Sequence, residues 1–341
     1  MSQDLYMGRR RFLIGAAAMS ASLMAAGPSV VLAQGQRSRF AVKVASNQGA
    51  ENASLQQLML DRGYAGELSL DVSIIEGRAV NDPMDALLRG DADICMVSGF
   101  VGVLPAIEQG KELRLIGAAM LLPALAVYSN NDSIRRIEDL VGRTVGIGPM
   151  KGLLHILMLA LLRKKGIDPS QIKFVNAGSN AQVLQAVKAG KVDAGLSGVA
   201  GMSGANAARV LDGGRLWQEL PEYTYQPAYA SVRALKEKPE ELARCLAAYT
   251  MLYRYLSGPN SRDAYLDARR RAAKEISSAE GEAVWDFIQK VQPYALEVGL
   301  TPQRVAYLQE LNVALGMQAK VLPFEQVADL SVAQGAKKLL A

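Results

Sequence analysis

Arg78 and Lys151 are the side chains best placed by the sequence to hold an anion. Arg78 ends the loop Glu76-Gly77-Arg78, and its planar fork of donors matches a carboxylate or sulfonate in bidentate fashion. Lys151, in Gly148-Pro149-Met150-Lys151-Gly152, adds a point charge. Two Ser-Gly pairs, Ser98-Gly99 and Ser197-Gly198, bring hydroxyl and backbone donors of the kind that complete an anion's shell. The competing reading leaves both cations solvated at the rim of a cleft.

The chain carries little for covalent or metal chemistry. His155 is its single histidine, and without a second histidine or a cysteine cluster it cannot anchor a zinc ion. It stands at the start of a helical pattern, where it is expected to pack or to donate a hydrogen bond; contact with a ligand is the other reading. Cys95 and Cys245 lie far apart in apolar stretches. They are expected as two separate buried thiols, although an oxidising compartment would allow a pair. No Gly-x-Ser-x-Gly elbow, Walker sequence or EF-hand loop occurs, and the glycines at 142–148 lack the Gly-x-Gly-x-x-Gly spacing of a dinucleotide site. No catalytic residue, metal or cofactor is expected.

A repeat positions the loops. Ala86-Leu-Leu-Arg-Gly90-Asp-Ala-Asp93-Ile-Cys-Met-Val-Ser98-Gly99 returns as Ala186-Val-Lys-Ala-Gly190-Lys-Val-Asp193-Ala-Gly-Leu-Ser197-Gly198. Each copy reads as a helix end, a glycine stop, a short buried strand and a Ser-Gly loop. The period is too long for a solenoid, whose units run roughly 20 to 50 residues, and points instead to two similar lobes with a cleft between them. Upstream, strands are expected over 40–45 and 144–148 and helices over 53–62 and 153–165, closed by Gly63 and Gly166. Second strands follow over 68–75 and 172–176, then the loops Glu76-Gly77-Arg78 and Ala177-Gly178-Ser179 and a further helix. Alternation of this kind builds a parallel sheet flanked by helices, and ligands sit beyond the carboxyl ends of its strands, against helix N-termini.

Between the copies, 111–128 reads as a strand interrupted by Pro123 and then resumed, as a chain leaving one sheet for another would. After a Gly213-Gly214 turn and Leu220-Pro221, an extended segment at 228–232 supplies the return. Two crossings permit a hinge. From Lys238 onward the pattern is helical, with Pro239, Glu240 and Glu241 suited to a first turn and apolar spacing at 282–291 and 302–315. Tyr249, Tyr253 and Tyr255 are expected to pack, and Arg269-Arg270-Arg271 to form a solvated helix face.

Arg9-Arg10-Arg11-Phe12-Leu13, a small-residue apolar run and Val31-Leu32-Ala33 read as an export signal cleaved after Ala33. The arginine pair resembles a twin-arginine signal, with Gly8 and Ile14 as departures, and an ordinary secretory signal is the alternative. The net charge of +5, from 38 Lys and Arg against 33 Asp and Glu, is partly that signal's. No basic stripe interleaved with aromatics is visible, so no nucleic-acid partner is expected.

The lobe pattern, the crossings, the Gly-x-x-Asp strands and Ser133-Ile-Arg-Arg-Ile-Glu-Asp-Leu-Val-Gly142 running into Thr144-Val-Gly-Ile-Gly148 resemble the SsuA/THI5/NMT1-like substrate-binding proteins of ABC transporters. The resemblance covers nearly all of the chain after the signal, including Pro323-Phe-Glu-Gln-Val-Ala-Asp329-Leu-Ser331. It implies an α/β, two-lobed periplasmic-binding type II fold, each lobe a mainly parallel sheet flanked by helices, with a two-strand hinge. Residues 1–33 would be the signal, 34–124 plus 225–341 one lobe and 125–224 the other.

Carried onto this sequence, the resemblance places ligand contacts at Ser46, Asn47 and Gln48, at Gly77 and Arg78, and at Ser98, Gly99 and Phe100. The other lobe would contribute Met150, Lys151, Gly152, His155, Gly178, Ser179, Ser197 and Gly198. Aromatic residues are sparse in these loops, so stacking on a planar ring would fall to Tyr223 and Tyr225 near the return crossing. The implied activity is periplasmic capture of a small, anionic organic solute, sulfonate-, nitrate- or carboxylate-like, by a monomer that delivers it to an ABC permease in the inner membrane. Two alternatives stand beside it: an enzyme of the THI5-like branch that builds a pyrimidine precursor, and a ligand sensor for a membrane receptor kinase.

Overall fold

The computed structural model describes residues 40–79, 81–98, 100–203, 208–274 and 277–341; the expected export signal lies outside them. The strands are β1 (Phe40–Asn47), β2 (Leu70–Gly77), β3 (Ile94–Cys95), β4 (Leu113–Met120), β5 (Leu125–Ser129), β6 (Thr144–Ile147), β7 (Lys173–Asn176), β8 (Ala194–Gly198), β9 (Arg209–Arg215) and β10 (Gln226–Ser231). They form two five-stranded sheets of matching order, β2-β1-β3-β10-β4 and β7-β6-β8-β5-β9. In each, the second strand pairs in parallel with its neighbours, β1 with β2 and β3, β6 with β7 and β8. The fourth strand runs against both of its partners.

That reversed strand is the one each crossing delivers. The chain leaves the first sheet after β4 and enters the second as β5; it returns from β9 as β10. Pro123 falls in the short link between β4 and β5, where a missing N–H breaks no ladder.

The repeated Gly-x-x-Asp has a structural meaning. Gly90 and Gly190 take left-handed φ values of 83° and 66°, which turn the chain out of its helix without a Cβ clash. Three residues on, Asp93 Oδ2 accepts the Lys43 N–H at 2.9 Å while the Asp93 N–H donates to the Lys43 carbonyl at 2.8 Å. Asp193 does the same for Thr144, at 2.9 Å in both directions. Each aspartate therefore satisfies the donor on the sheet's second strand just before parallel pairing begins, at Val44 with Ile94 and Val145 with Ala194. Lys238 Nζ adds an ion pair to Asp93 at 2.8 Å.

Helix Pro239–Ser257 begins at proline with Glu240 and Glu241 in its first turn, where the free N–H groups favour negative charge. Leu242, Leu246, Leu252 and Leu256 on its inner face are fully buried, at roughly 2 kcal/mol each. Tyr249 and Tyr253 pack as expected, the latter stacked on Tyr294 with ring centroids 4.7 Å apart. Cys95 and Cys245 are both free and buried, and burial pushes the Cys95 thiol up to about 12.

Two expectations are corrected. Gly213-Gly214 is no turn: both lie within β9, whose pairing with β5 slips register between Ala126 and Tyr128. The glycine pair accommodates a bulge in an edge strand, and its turn-like composition hid the strand. The run Arg269-Arg270-Arg271 is only partly a solvated face. Arg270 and Arg271 are exposed, but Arg269 is 4% exposed and pairs with Glu51 at 2.8 Å.

Candidate functional site

At the carboxyl end of the first sheet, three loops are tied to one side chain. The Asn47 amide donates to the Ala79 carbonyl at 2.7 Å, its backbone N–H donates to Ser98 Oγ at 3.1 Å, and Ser98 Oγ donates back to Asn47 Oδ1. The Gln48 N–H continues the β1–β2 pairing to the Gly77 carbonyl at 2.9 Å. Asp82 Oδ2 accepts the N–H groups of Arg78 and Ala79, both at 2.8 Å, and fixes that loop. Asn47, Gln48, Gly77, Arg78 and Ser98 are thus brought together, whereas Ser46 is fully buried and its hydroxyl donates to the Asn47 carbonyl at 3.1 Å. The Arg78 side chain is exposed and makes no ion pair among the described residues. Phe100 is buried at 3% exposure in the apolar core, and Gly99 lies outside the described residues.

The corresponding end of the second sheet is built differently. A Cβ on Gly148 would stand 3.3 Å from the Gly178 carbonyl, so the β6 and β7 loops approach closely. Ser179 caps helix Asn180–Lys188 in a reciprocal box with Gln182, and Ser197 Oγ donates to the Asn180 carbonyl at 2.6 Å. Both hydroxyls therefore hold the helix start. The Gly198 carbonyl accepts from Tyr128 at 2.8 Å. Met150 and Lys151 are exposed, and Lys151 adopts a left-handed φ of 62°.

That strained loop explains His155. Its Nδ1 accepts the Lys151 N–H at 2.9 Å, and the ring packs edge-on against Phe174 at 5.1 Å. The imidazole accepts where a donor was expected, which places its proton on Nε2 and requires the neutral form. Burial holds its pKa below the usual 6.5. Only the unfolded chain takes up the proton as pH first falls through that value. This contribution to stability is full above pH about 6.5 and is lost as pH falls toward the lower folded-state pKa. Denaturation at pH 7.5 and 5.5 is expected to show a smaller difference for His155→Gln than for the parent; an equal difference would remove His155 from the pH response.

Helices Ala50–Arg62 and Leu153–Lys164 follow the second strand of each sheet and begin at Gly49 and Gly152 without a side-chain cap. Their first N–H groups are left to solvent or to an anion. At the return crossing Tyr223 is buried and Tyr225 half-buried; burial, and secondarily neighbouring phenols for Tyr223 and Glu51 for Tyr225, push both hydroxyls above their usual range. Arg304 Nη1 donates to the Leu121 and Glu222 carbonyls at 3.2 and 3.3 Å, so one guanidinium touches both crossings. Sequence reasoning missed Asp82 and Arg304. Asp82 before Pro83 carries a turn signal; Arg304 carries none. No metal-ligating cluster and no helix long and apolar enough to cross a membrane occur among the described residues.

The fold is similar to the alkanesulfonate-binding protein SsuA from Xanthomonas axonopodis pv. citri, solved with MOPS: TM-score 0.67, 18% identity, covering 84% of this chain and 97% of that one. For the periplasmic aliphatic sulphonate binding protein SsuA from Escherichia coli the values are 0.67, 16%, 86% and 92%. The desulfurization enzyme DSZB is also similar, at 0.58, 15%, 89% and 100%. Likeness at such identities is likeness of fold. No curated protein matches the sequence. The NMT1/THI5 like family matches residues 59–258, more than half of the chain. With two helix-flanked mixed sheets joined by two crossings, the chain belongs to the NMT1/THI5-like family and has the periplasmic-binding-protein fold of the SsuA structures.

Proposed function

We propose that this chain is the exported solute-binding component of an ABC importer, and that it captures a small organic anion between lobes formed by 34–124 with 225–341 and by 125–224. The observation that carries this reading is the pair of uncapped helix starts at Gly49 and Gly152, at equivalent places in two sheets of one strand order. Each offers free N–H groups and the positive end of a helix dipole. Arg78, which makes no ion pair among the described residues, lies in the loop bonded to the strand end that precedes the first, and Lys151 stands beside the second. The two crossings supply a hinge on which the lobes close, and Arg304, bonded to both, sets their spacing. Residues 1–33 direct export and are cleaved after Ala33, and the loaded monomer meets a permease in the inner membrane.

Catalysis has no support from the groups in place. Cys95 sits in β3, fully buried, with its thiol pushed up to about 12, far from the thiolate a nucleophile needs. His155 Nδ1 is engaged by the Lys151 N–H.

The test is thermal stability against sulfonates, nitrate, carboxylates and pyrimidines, followed by titration. A ligand at a hundred times its dissociation constant adds roughly 2.7 kcal/mol. Arg78→Ala is expected to weaken the responding anion about tenfold or more, the range for charge-assisted hydrogen bonds. Unchanged affinity would remove Arg78 from the site, and a flat panel would remove the small-anion reading.

A further inference from the structure

The turn that carries Lys151 is held in the less favourable of two forms. The Gly152 N–H donates to the Pro149 carbonyl at 2.9 Å, closing a four-residue turn, and of its two central residues only Lys151 has a positive φ, 62°. That combination is a type II turn, whose third place suits glycine or asparagine; a residue with a Cβ prefers type I there. The sequence Pro149-Met150-Lys151-Gly152 is itself suited to type I, with glycine in the last place and none in the third. The two forms differ by rotation of one group, the Met150–Lys151 peptide, through about half a turn.

His155 holds the type II form. Its Nδ1 accepts the Lys151 N–H at 2.9 Å, and the residue is 6% exposed, its ring edge-on to Phe174 of β7. Because the peptide is trans and planar, its carbonyl points away from the ring, and the Met150 oxygen accepts no hydrogen bond among the described residues. The loop therefore shows an acceptor, whereas the helix start behind it shows donors. A proton on Nδ1 reverses this. Two donors would face each other, and the flip relieves them by turning the Met150 carbonyl to the ring and the Lys151 N–H outward. It also returns Lys151 to negative φ.

No charged group competes for the ring, since burial alone acts on the imidazole. Of the elements packed on helix Leu153–Lys164, β8 carries no ionisable side chain. Glu219 and Asp168 lie toward the far end of the helix, the first paired with Lys164 and Lys165 and the second bonded to Ser170. Lys173, before Phe174, and Lys151 itself are exposed.

We propose that the Met150–Lys151 peptide is a proton-driven switch positioned by His155: a neutral ring presents the Met150 carbonyl, and a protonated ring presents the Lys151 N–H, which joins the helix N–H groups in holding an anion. This rests on the small-anion reading above and adds its regulation, since capture tightens as the pH falls. By linkage, a bound anion favours the protonated ring.

His155 is the chain's single histidine, so the imidazole nuclear magnetic resonance signals of the full chain report it alone. Titration from about pH 7.5 to about 4.5 compares Lys151→Gly with Lys151→Ala, which lose the same charge. Glycine accepts a positive φ and alanine resists it, so His155 is expected to titrate about 0.7 pH unit or more lower in the glycine variant. Equal titration overturns the switch, because the ring would then leave while the turn stays. Calorimetry with ethanesulfonate, nitrate and trifluoroacetate, which stay ionised throughout, forms the second arm. Affinity for whichever binds is expected to rise about tenfold or more toward low pH in the parent, the range for a hydrogen bond to a charged group. In His155→Gln, whose amide oxygen accepts the same N–H without titrating, affinity is expected to stay within about twofold. Should that variant not fold, Lys151→Gly is expected to displace the rise to lower pH. Affinity that is flat in the parent, or a rise that survives unmoved in both variants, overturns the inference while leaving the receptor reading intact. If none of the three anions binds while the glycine and alanine variants still titrate apart, the small-anion reading falls and the switch stands.

Discussion

Asp93→Ala is expected to lower the melting temperature by about 6–12 °C, and Asp193→Ala by about 4–8 °C, at 2–4 °C for each kcal/mol in a chain of this size. Either substitution strands a backbone N–H, that of Lys43 or Thr144, at a point where the neighbouring strand has not yet begun to pair. A buried donor without an acceptor costs about 1–3 kcal/mol. Asp93 carries a further burden, because Lys238 loses its partner, although the lysine side chain is 34% exposed and recovers part of its hydration. The expected totals are about 3 kcal/mol for Asp93 and about 2 kcal/mol for Asp193. Asparagine supplies the acceptor without the charge, so Asp193→Asn should recover most of its loss and Asp93→Asn less. Calorimetry of the four variants decides it. A drop below 2 °C for both alanine variants would mean that water reaches the stranded N–H groups, and that the repeated aspartate does something other than clamp a strand.

The repeat was legible because it is written in chemistry that has few substitutes. A glycine at left-handed φ, then an aspartate three residues later, recurs at Gly90 and Gly190 because two sheets of one design need the same stop and the same acceptor. The parallel pairing of β1 with β2 and β3 and of β6 with β7 and β8 followed from alternation, and the crossings from a strand broken at Pro123. The strand β9 was not legible, since a bulge at Gly213-Gly214 has the composition of a turn. The candidate site was legible in its loops but not in its bonds. Asn47, Ser98 and Gly77 converge as a chain of strand ends must, yet nothing in the sequence tells that Ser179 and Ser197 are occupied in holding a helix start. Arg269 shows the same limit: in a run of three arginines at helical spacing one must face inward, but which one depends on Glu51, more than two hundred residues earlier.

Gly195→Val is expected to destabilise the second lobe by more than 3 kcal/mol, and Gly195→Ala by about 2 kcal/mol, beyond the small gain in strand propensity either brings. Gly195 in β8 lies opposite Gly146 in β6, and together they form a flat patch on which helix Asn180–Lys188 rests. A Cβ on Gly195 would stand 2.6 Å from Val183 Cγ1 and 2.9 Å from Val187 Cγ2, both on fully buried side chains, and 3.2 Å from the Gly146 carbonyl. The first sheet has Ala45 and Cys95 at the paired positions, both buried, so it accommodates side chains where the second has none. The contact in the second sheet cannot be relieved by a rotamer, because valine is stiff and the backbone carbonyl is fixed by the sheet. The helix must move, and with it the Ser179 cap and the Asn180 carbonyl that holds Ser197. Loss of stability should therefore come with weakened solute binding. Val183→Ala in the Gly195→Ala background removes the atom in conflict, and the pair is expected to recover at least half of the lost stability, a coupling readable from a double-mutant cycle. Strict additivity of the two losses would show that the helix already stands clear of the sheet, and that the glycine pair serves the backbone and not the packing.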